Sequence, residues 1–380
     1  MVKISSHPDY ILVGVVTVLV ALGIVILASV SAPYAQERFG DTYYFLKHQI
    51  IFALIPGLIL GFLAYKINLA FLKKWAPIFL LINLGLLAMV FLPFIGSTAG
   101  GAARWINLGP FSFQPSEFLK LTFILYLATW LSKRATYQNK FGTGQAEKIN
   151  PKEFSQTFIA FLVAIGIIAI LLISQPDIST LGIIVLMGAL IYFLANTPLW
   201  HSILIFLIGS GSLFSLIKIA PYRANRLLVF FNPEIDPMGI GYQVKQALIS
   251  VGSGGILGVG LGMSVQKFAF GFLPHSISDS IFAVFSEETG FLGASILILL
   301  FLIFFWHGFK IARESQDKFS QLTAIGITCW ITIQTFVNIG SMIGVLPLTG
   351  VPLPFISYGG SALISKLIGV GILLNISRRV

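Results

Sequence analysis

The sequence predicts an all-α polytopic membrane protein with about ten transmembrane helices. Hydrophobic residues make up 56% of the 380-residue chain and charged residues only 10%, and the mean hydropathy is +0.91. Apolar runs of about 18 residues or more recur from end to end, which is the length a helix needs to cross a bilayer. These runs do not alternate apolar and polar residues, and this excludes a transmembrane β-barrel.

The apolar runs define ten spans within one integral membrane domain that covers residues 1–380. The run Tyr10–Val30 is too long for the core of an ordinary signal peptide, so we interpret it as an uncleaved first span. The predicted spans lie near residues 10–30, 44–65, 76–95, 116–133, 157–174, 178–195, 199–219, 286–308, 320–344 and 356–377.

Lysine and arginine predict the orientation of these spans. Basic clusters follow the second, fourth and eighth spans and end the chain, and cytoplasmic segments collect such residues. We therefore expect both termini in the cytoplasm. The net charge of +10 has this topological explanation and does not call for nucleic acid. The single cysteine, Cys329, excludes an intrachain disulfide and a cysteine-based zinc site.

One large extracytoplasmic loop, about 220–280, departs from the charge pattern. Its basic residues either pair with Glu234 and Asp236 or form a site for an anion; they are Arg223, Arg226, Lys245 and Lys267. The apolar, glycine-rich stretch 247–265 within the loop predicts a re-entrant or interfacial helix pair. We interpret its glycines as positions of close helix packing.

Two prolines with nearby acids predict helix starts on the outer face. Pro115 precedes Glu117, and Pro176 precedes Asp177. Proline is favoured at the first helical position, and acids there complement the helix dipole. The alternative is that these converging helix ends bind an anionic head group.

Other polar residues lie beside or within the predicted spans. Arg104 and Trp105 are either an interfacial anchor or a phosphate ligand. Lys120 lies three residues after Glu117, a spacing that allows an ion pair. Lys366 lies deep in the last span, so it either pairs with an acid or lines a polar cavity.

Asp279 is the strongest catalytic candidate. It follows a cationic outer loop, and a single acid in that position fits a general base that acts on a hydroxyl. Partial burial would raise its pKa toward working pH. Glu287 and Glu288 lie about 12–14 Å further along if the segment is helical, so we interpret them as structural.

These residues carry a family resemblance that runs through nearly the whole chain. The chain resembles the SEDS family, which includes FtsW, RodA and SpoVE. The first outer segment, 37–47, resembles the division member FtsW more than RodA. The matching segments are Gly101–Lys120, Gln175–Asp177, Tyr222–Arg226, Gly239–Gln243, Gly252–Lys267, the Asp279 segment and Pro352–Ser361.

The resemblance implies a peptidoglycan glycosyltransferase that polymerises lipid II into β-1,4-linked glycan in the bacterial cytoplasmic membrane, for septal synthesis in cell division. It implies that Asp279 is the catalytic carboxylate, which deprotonates the acceptor hydroxyl. It also implies a class B penicillin-binding protein transpeptidase and other divisome proteins as partners. It implies substrate-binding roles for Arg104, Trp105, Glu117, Lys120, Asp177, Arg223, Arg226, Gln243, Lys267 and Ser357.

Several alternatives stay open at this point. The protein could be a lipid II flippase, a non-catalytic division scaffold, or an elongation-type polymerase like RodA. No ligand spacing demands a metal, although acids such as Asp279 and Asp177 could hold Mg or Mn with a diphosphate. The chain also departs from the family pattern at Ala103, Ser179, Ile277–Ser278 and Ser280, which affects the expected geometry around Asp279.

Overall fold

The computed structural model is a helical bundle that confirms the predicted fold class. It describes residues 7–99, 102–107, 109, 111–140, 151–195, 197–219, 221–235, 239–265 and 273–379. Each of the ten predicted spans coincides with a helix. Among these described residues, six helical segments are long and apolar enough to cross a membrane, and shorter apolar stretches lie in three further predicted spans, at Phe158–Ser174, Ile178–Leu194 and Ile203–Ser212.

Connections of very different length join the helices, and the longest lie between α4 and α5 and between α10 and α11. The second span is interrupted by a π-helical turn, Ile50–Leu54, which joins α2 to α3. In chain order the helices are α1 (Tyr10–Phe39), α2 (Tyr44–Gln49), α3 (Ile55–Lys66), α4 (Leu69–Met89), α5 (Pro115–Lys140), α6 (Pro151–Ser174), α7 (Ile178–Leu194), α8 (Leu199–Ile219), α9 (Pro221–Phe231), α10 (Ile240–Ser253), α11 (Ile281–Glu314), α12 (Lys318–Met342) and α13 (Gly360–Ser377).

A small antiparallel sheet between α4 and α5 was not expected from the sequence. Its strands, in the order β1-β2-β3, are Gly96–Ala99, Ala102–Asn107 and Ser112–Phe113. The segment is rich in glycine, serine and alanine, which have weak strand propensity. The sheet is a finding of the structure, and it carries Arg104 and Trp105 at the outer end of the bundle.

The glycine-rich stretch contains one helix followed by turns. The helix α10 ends at Ser253, and residues 254–264 form no helix, so the expected helix pair is wrong in this part. The expected close packing is confirmed. A Cβ atom at Gly254 or Gly258 would collide with the backbone oxygens of Ser286 and Glu288, so these glycines let the stretch lie directly against α11.

Two of the expected helix starts have different outcomes. Pro115 opens α5 as predicted. Pro176 does not open α7, because that helix begins at Ile178 and Asp177 is its N-cap. An aspartate is a better N-cap than a proline, since its carboxylate accepts a hydrogen bond from the first turn.

The helix α11 begins earlier than predicted and is kinked. It starts at Ile281, directly after Asp279, and Gly290 within it has a φ of 67°. This left-handed conformation suits only glycine. A Cβ at Gly290 would also collide with the backbone of Gly258 and approach that of Ile256. The kink therefore separates a short outer segment, which follows Asp279, from the membrane-spanning part of α11.

Candidate active site

Asp279 lies in a tight turn that connects the outer loop to α11. Its backbone is tied to two other parts of the chain. Asn338 in α12 donates from Nδ2 to the carbonyl oxygen of Asp279 at 2.8 Å and to that of Val351 at 2.7 Å. Ser357 donates from Oγ to the carbonyl oxygen of Ser278 at 2.6 Å. These bonds fix the position of the Asp279 backbone.

The segment that precedes α13 completes this anchoring. The backbone N–H of Tyr358 donates to the carbonyl oxygen of Ile277 at 2.9 Å. Ser357 Oγ also accepts from the backbone N–H of Leu353 at 2.7 Å. Ser357 is buried. The structure therefore gives Ser357 a part in holding the Asp279 turn, and its predicted contact with substrate stays a prediction.

The side chain of Asp279 is half-buried and faces the turn at Gly350. A Cβ atom at Gly350 would lie 3.4 Å from Asp279 Oδ2, and Gly350 has a φ of +67°. Across the ranges described above, nothing donates a hydrogen bond to the Asp279 carboxylate. The carboxylate is thus held through its backbone while its oxygens keep their hydrogen-bonding capacity.

Three cationic or titratable groups surround this carboxylate. Burial raises the pKa of Asp279 above its ordinary value, and the charges of His275, Arg226 and Arg104 oppose that shift, in this order of size. A raised pKa makes a carboxylate a stronger base. The positive groups favour its ionised form and also provide charge for an anionic leaving group.

Arg104 connects the small sheet to the connection between α6 and α7. Its Nε donates to the carbonyl oxygen of Gln175 at 3.1 Å, and its Nη2 donates to that of Pro176. Trp105, the next residue of β2, is half-buried and pairs with Ser97 on β1. Arg104 is therefore oriented by backbone carbonyl oxygens, and it lies close enough to Asp279 for its charge to lower the pKa of that carboxylate.

Two of the predicted outer-loop residues, Arg226 and Gln243, lie near Asp279. Arg226 on α9 donates from Nη1 to the carbonyl oxygen of Leu348 at 3.5 Å, and its charge acts on Asp279. Gln243 on α10 donates from Nε2 to Ser280 Oγ at 3.1 Å, one residue after Asp279. Lys267 and the side chain of Arg223 lie outside the described residues.

Asp177 serves the helix end rather than the site in this structure. It is buried, accepts from the backbone N–H of Thr180 at 3.4 Å and accepts from Ser116 Oγ at 3.2 Å. These contacts agree with helix-end chemistry, the first of the two interpretations from sequence. They also join the outer ends of α5 and α7 beside Gln175 and Pro176, whose carbonyl oxygens bind Arg104.

Glu117, Lys120 and Lys366 form a second charged cluster inside the bundle. Lys120 Nζ lies 2.6 Å from Glu117 Oε1, and Lys366 Nζ lies 3.1 Å from Glu117 Oε2. Lys120 also donates to Gln334 Oε1 at 3.2 Å, and both ammonium groups lie over the ring of Trp330. The expected ion pair of Lys120 is confirmed, and so is pairing for Lys366.

This internal cluster does not line an open space. The side chains of both lysines are 1% exposed and that of Glu117 is 4% exposed. The predicted substrate-binding roles of Glu117 and Lys120 stay predictions, since both side chains are closed off by protein here.

Glu287 and Glu288, the acidic pair that follows Asp279, are bound by protein groups. Glu287 accepts from Ser264 Oγ at 2.6 Å and from the backbone N–H of Val265 at 3.0 Å, and Glu288 accepts from Ser29 Oγ. Both contacts agree with the structural role expected from sequence. No group of three or more His, Cys, Asp or Glu suited to a metal occurs in the described part of the chain. A divalent cation held jointly with a diphosphate needs only one or two carboxylates, so the possible use of Mg or Mn stays a prediction.

Sequence reasoning named Ser357, for a substrate-binding role, but missed the other residues that position Asp279. Asn338 was the detectable one, because a polar residue inside an apolar span is a functional candidate. Gly350 and Tyr358 gave no such signal, since each lies in an ordinary-looking loop and acts only through contacts with the distant 275–280 segment.

The chain is similar to known proteins along nearly its whole length. The chain resembles stage V sporulation protein E of Bacillus subtilis, with 37% identity over 98% of each chain. It resembles the "Probable peptidoglycan glycosyltransferase FtsW" of Nitrosococcus halophilus, with 38% identity over 98% of this chain and 92% of the relative.

Two solved structures share the fold. A chain of a peptidoglycan synthase complex, described as coordinating polymerization and crosslinking, superposes with a TM-score of 0.77 at 28% identity over 98% of both chains. RodA of Thermus thermophilus superposes with a TM-score of 0.68 at 27% identity over 98% of this chain and 97% of RodA. Residues 9–380 match the family described as "Cell cycle protein", which groups FtsW, RodA and SpoVE. The chain therefore belongs to the FtsW, RodA and SpoVE family.

Proposed function

We propose that the protein is a peptidoglycan glycosyltransferase that polymerises lipid II into β-1,4-linked glycan at the outer face of the bacterial cytoplasmic membrane. One observation carries the proposal. A carboxylate with a raised pKa, Asp279, is fixed through its backbone beside Arg104 and Arg226, in a chain that matches relatives named peptidoglycan glycosyltransferase along nearly its whole length.

In this reaction Asp279 is the general base. Its carboxylate takes the proton from a hydroxyl of the acceptor sugar as that oxygen bonds to the anomeric carbon of the donor sugar. The bond from the anomeric carbon to the lipid diphosphate breaks, and its electron pair leaves with the diphosphate. Arg104 and Arg226 lie near enough to stabilise the growing negative charge. Arg223, Trp105, Gln243 and Lys267 remain proposed substrate contacts.

The internal cluster argues against a lipid II flippase. A flippase needs a polar path through the bilayer, and Lys120 and Lys366 were the residues that could have formed one. Their ammonium groups are instead buried and paired with Glu117. A pure scaffold, in turn, would have no use for a base anchored as Asp279 is.

Division rather than elongation is the proposed setting. Two relatives named FtsW are 36% and 38% identical to this chain, whereas two RodA structures are 27–28% identical. We propose that both termini are cytoplasmic, as the basic clusters indicate. The likeness to a chain of a synthase complex supports a transpeptidase partner, a class B penicillin-binding protein, among other divisome proteins.

Purified protein in lipid nanodiscs, incubated with labelled lipid II with and without that transpeptidase, tests the proposal. We expect a ladder of glycan polymer that a muramidase digests. Vesicles that contain the protein and labelled lipid II provide the alternative measurement. Movement of lipid II between leaflets without any polymer would replace the transferase with the flippase.

A further inference from the structure

Aromatic side chains cluster at the outer ends of α1 and α2, next to the Asp279 turn. The ring of Phe39 stacks on that of Tyr44, with centroids 3.9 Å apart and planes inclined by 10°. Tyr34 stacks on Phe45 at 5.4 Å. We call these rings, together with Tyr358, the outer aromatic platform. Phe39 and Tyr44 are 44% and 38% exposed, so the platform presents ring surface outside the protein core.

The platform is joined directly to the candidate active site. The ring of Tyr358 meets that of Phe45 edge-on at a centroid distance of 5.2 Å, and its hydroxyl lies 3.0 Å from His48 Nδ1. The backbone N–H of the same tyrosine bonds Ile277, two residues before Asp279. Tyr358 therefore links the Asp279 turn to Phe45, which in turn contacts the exposed rings of Phe39 and Tyr44.

The length of α1 places the outer aromatic platform beyond the hydrocarbon core of the membrane. The helix α1 has 30 residues, which is about 45 Å at 1.5 Å per residue, whereas the hydrocarbon core of a bilayer is about 30 Å thick. The apolar run ends near Val30, and Phe39 is the last residue of α1. The last turns of α1 thus extend beyond the hydrocarbon, to the level where a lipid-linked sugar would lie.

Polar groups alternate with the rings of the platform. Arg38 lies 5.8 Å from the centroids of both Tyr34 and Phe39. In the turn after α1, Asp41 and Lys47 form an exposed ion pair at 2.8 Å. Sugars bind where the C–H face of a pyranose can rest on an aromatic ring and nearby polar groups can bond its hydroxyls.

We infer that the outer aromatic platform is a saccharide-binding subsite that holds the growing glycan strand beside Asp279. This inference rests on the proposed function and extends it to the polymer. A strand that stays bound after each transfer keeps its end near the base, so the platform would lengthen the product. Arg38, which lies over two of the rings, also suits the peptide carboxylates that the strand carries.

Binding of a lipid-free glycan fragment tests the inference without any transfer reaction. A tetrasaccharide of alternating N-acetylglucosamine and N-acetylmuramic acid is titrated into full-length protein in nanodiscs. We expect wild type to bind it and Tyr44→Ala to bind about ten-fold more weakly, since one aromatic contact contributes about that factor. Tyr44→Phe keeps the ring and should bind as wild type does.

Phe94→Ala is the matched control, because Phe94 is a fully exposed aromatic residue in the turn between α4 and β1. It should change neither affinity nor strand length, whereas Tyr44→Ala should shorten the strands. If Tyr44→Ala does not fold, Phe39→Ala takes its place. Absence of fragment binding to wild type, or equal binding by the folded alanine variant, overturns the inference.

The two proposals fail in different ways. Asp279→Asn should bind the fragment as wild type does, since the platform does not need the base. Polymer formation without fragment binding would remove the platform and leave the transferase in place. A Tyr44→Ala variant that only loses insertion or thermal stability, with fragment affinity unchanged, would make the rings a membrane anchor and overturn the inference.

Discussion

The internal cluster around Glu117 and the turn around Asp279 both place a carboxylate near two cations, yet they treat it differently. Glu117 has each oxygen within 3.1 Å of a lysine ammonium group. Asp279 is held by bonds to its own carbonyl oxygen and to those of its neighbours, and its carboxylate receives no hydrogen bond from the residues that the structure describes.

This difference separates structural from chemical use of charge in one membrane protein. A carboxylate with both oxygens bonded to lysines is already neutralised, so its role ends inside the protein. A carboxylate anchored only through its backbone can still accept a proton from a substrate. The two sites are therefore expected to respond in opposite ways to loss of their acid, one in stability and the other in turnover.

The largest effect on stability is expected from Glu117→Gln. Removing the carboxylate leaves Lys120 and Lys366 as buried, uncompensated charges, and breaking a buried pair in this way costs about 3–5 kcal/mol. Lys366→Met should cost less, because Glu117 and Lys120 still neutralise each other. Thermal or denaturant unfolding in detergent measures both, with the exposed Glu234→Gln as the control. Equal losses for the two cluster variants would contradict this account of the cluster.

A smaller effect, seen mainly in turnover, is expected from Asn338→Ala. It frees the carbonyl oxygens of Asp279 and Val351, and a displacement of about 1 Å in a catalytic group can reduce the rate by up to roughly 100-fold. We expect kcat to fall while KM for lipid II stays near its wild-type value.

Asn375→Ala is the matched control for that variant. Asn375 also donates to two backbone carbonyl oxygens, those of Ala64 and Ile67, at 3.0 and 2.6 Å, but at the other end of the bundle. Both variants should lose a similar amount of stability. Equal kcat values per folded molecule would show that Asn338 does not position Asp279.

The smallest effect is a shift in pH dependence. Asp279 must be ionised to accept a proton, so kcat/KM is lost as pH falls through its pKa, which burial raises above the ordinary value of about 3.9. The Arg226 charge lowers that pKa. Arg226→Gln should therefore move the acid limb to higher pH, by up to about one unit. Lys245→Gln, an exposed change on α10, should not move it. A limb that stays in place or moves down would exclude the proposed interaction.

Much of the fold could be predicted from sequence because each membrane span is a continuous run of apolar residues. Apolar length predicted ten spans that each coincide with a helix, and the spacing of Glu117 and Lys120 indicated their ion pair. Lys366 could be expected to find an acid, but its partner is 249 residues away, and no local pattern specifies a contact between distant helices. The sheet at residues 96–113 was missed because its small residues resemble a loop.

The candidate site shows the same division. Asp279 could be selected from sequence because a lone acid after a cationic loop is conspicuous in a chain with few charges. Its anchoring by Asn338 and Ser357 depends on three segments meeting in space. The raised pKa likewise depends on burial that only the folded bundle provides.

The most direct test of the contrast is single-turnover bond formation by Asp279→Asn, measured together with its affinity for lipid II and its unfolding temperature. The amide keeps the shape of the side chain but cannot take a proton. We predict wild-type stability, lipid II affinity within about two-fold of wild type, and bond formation slower by roughly 10²–10⁴-fold. Bond formation at the wild-type rate, or a loss fully explained by weaker binding or unfolding, would contradict the assignment of Asp279 as the base.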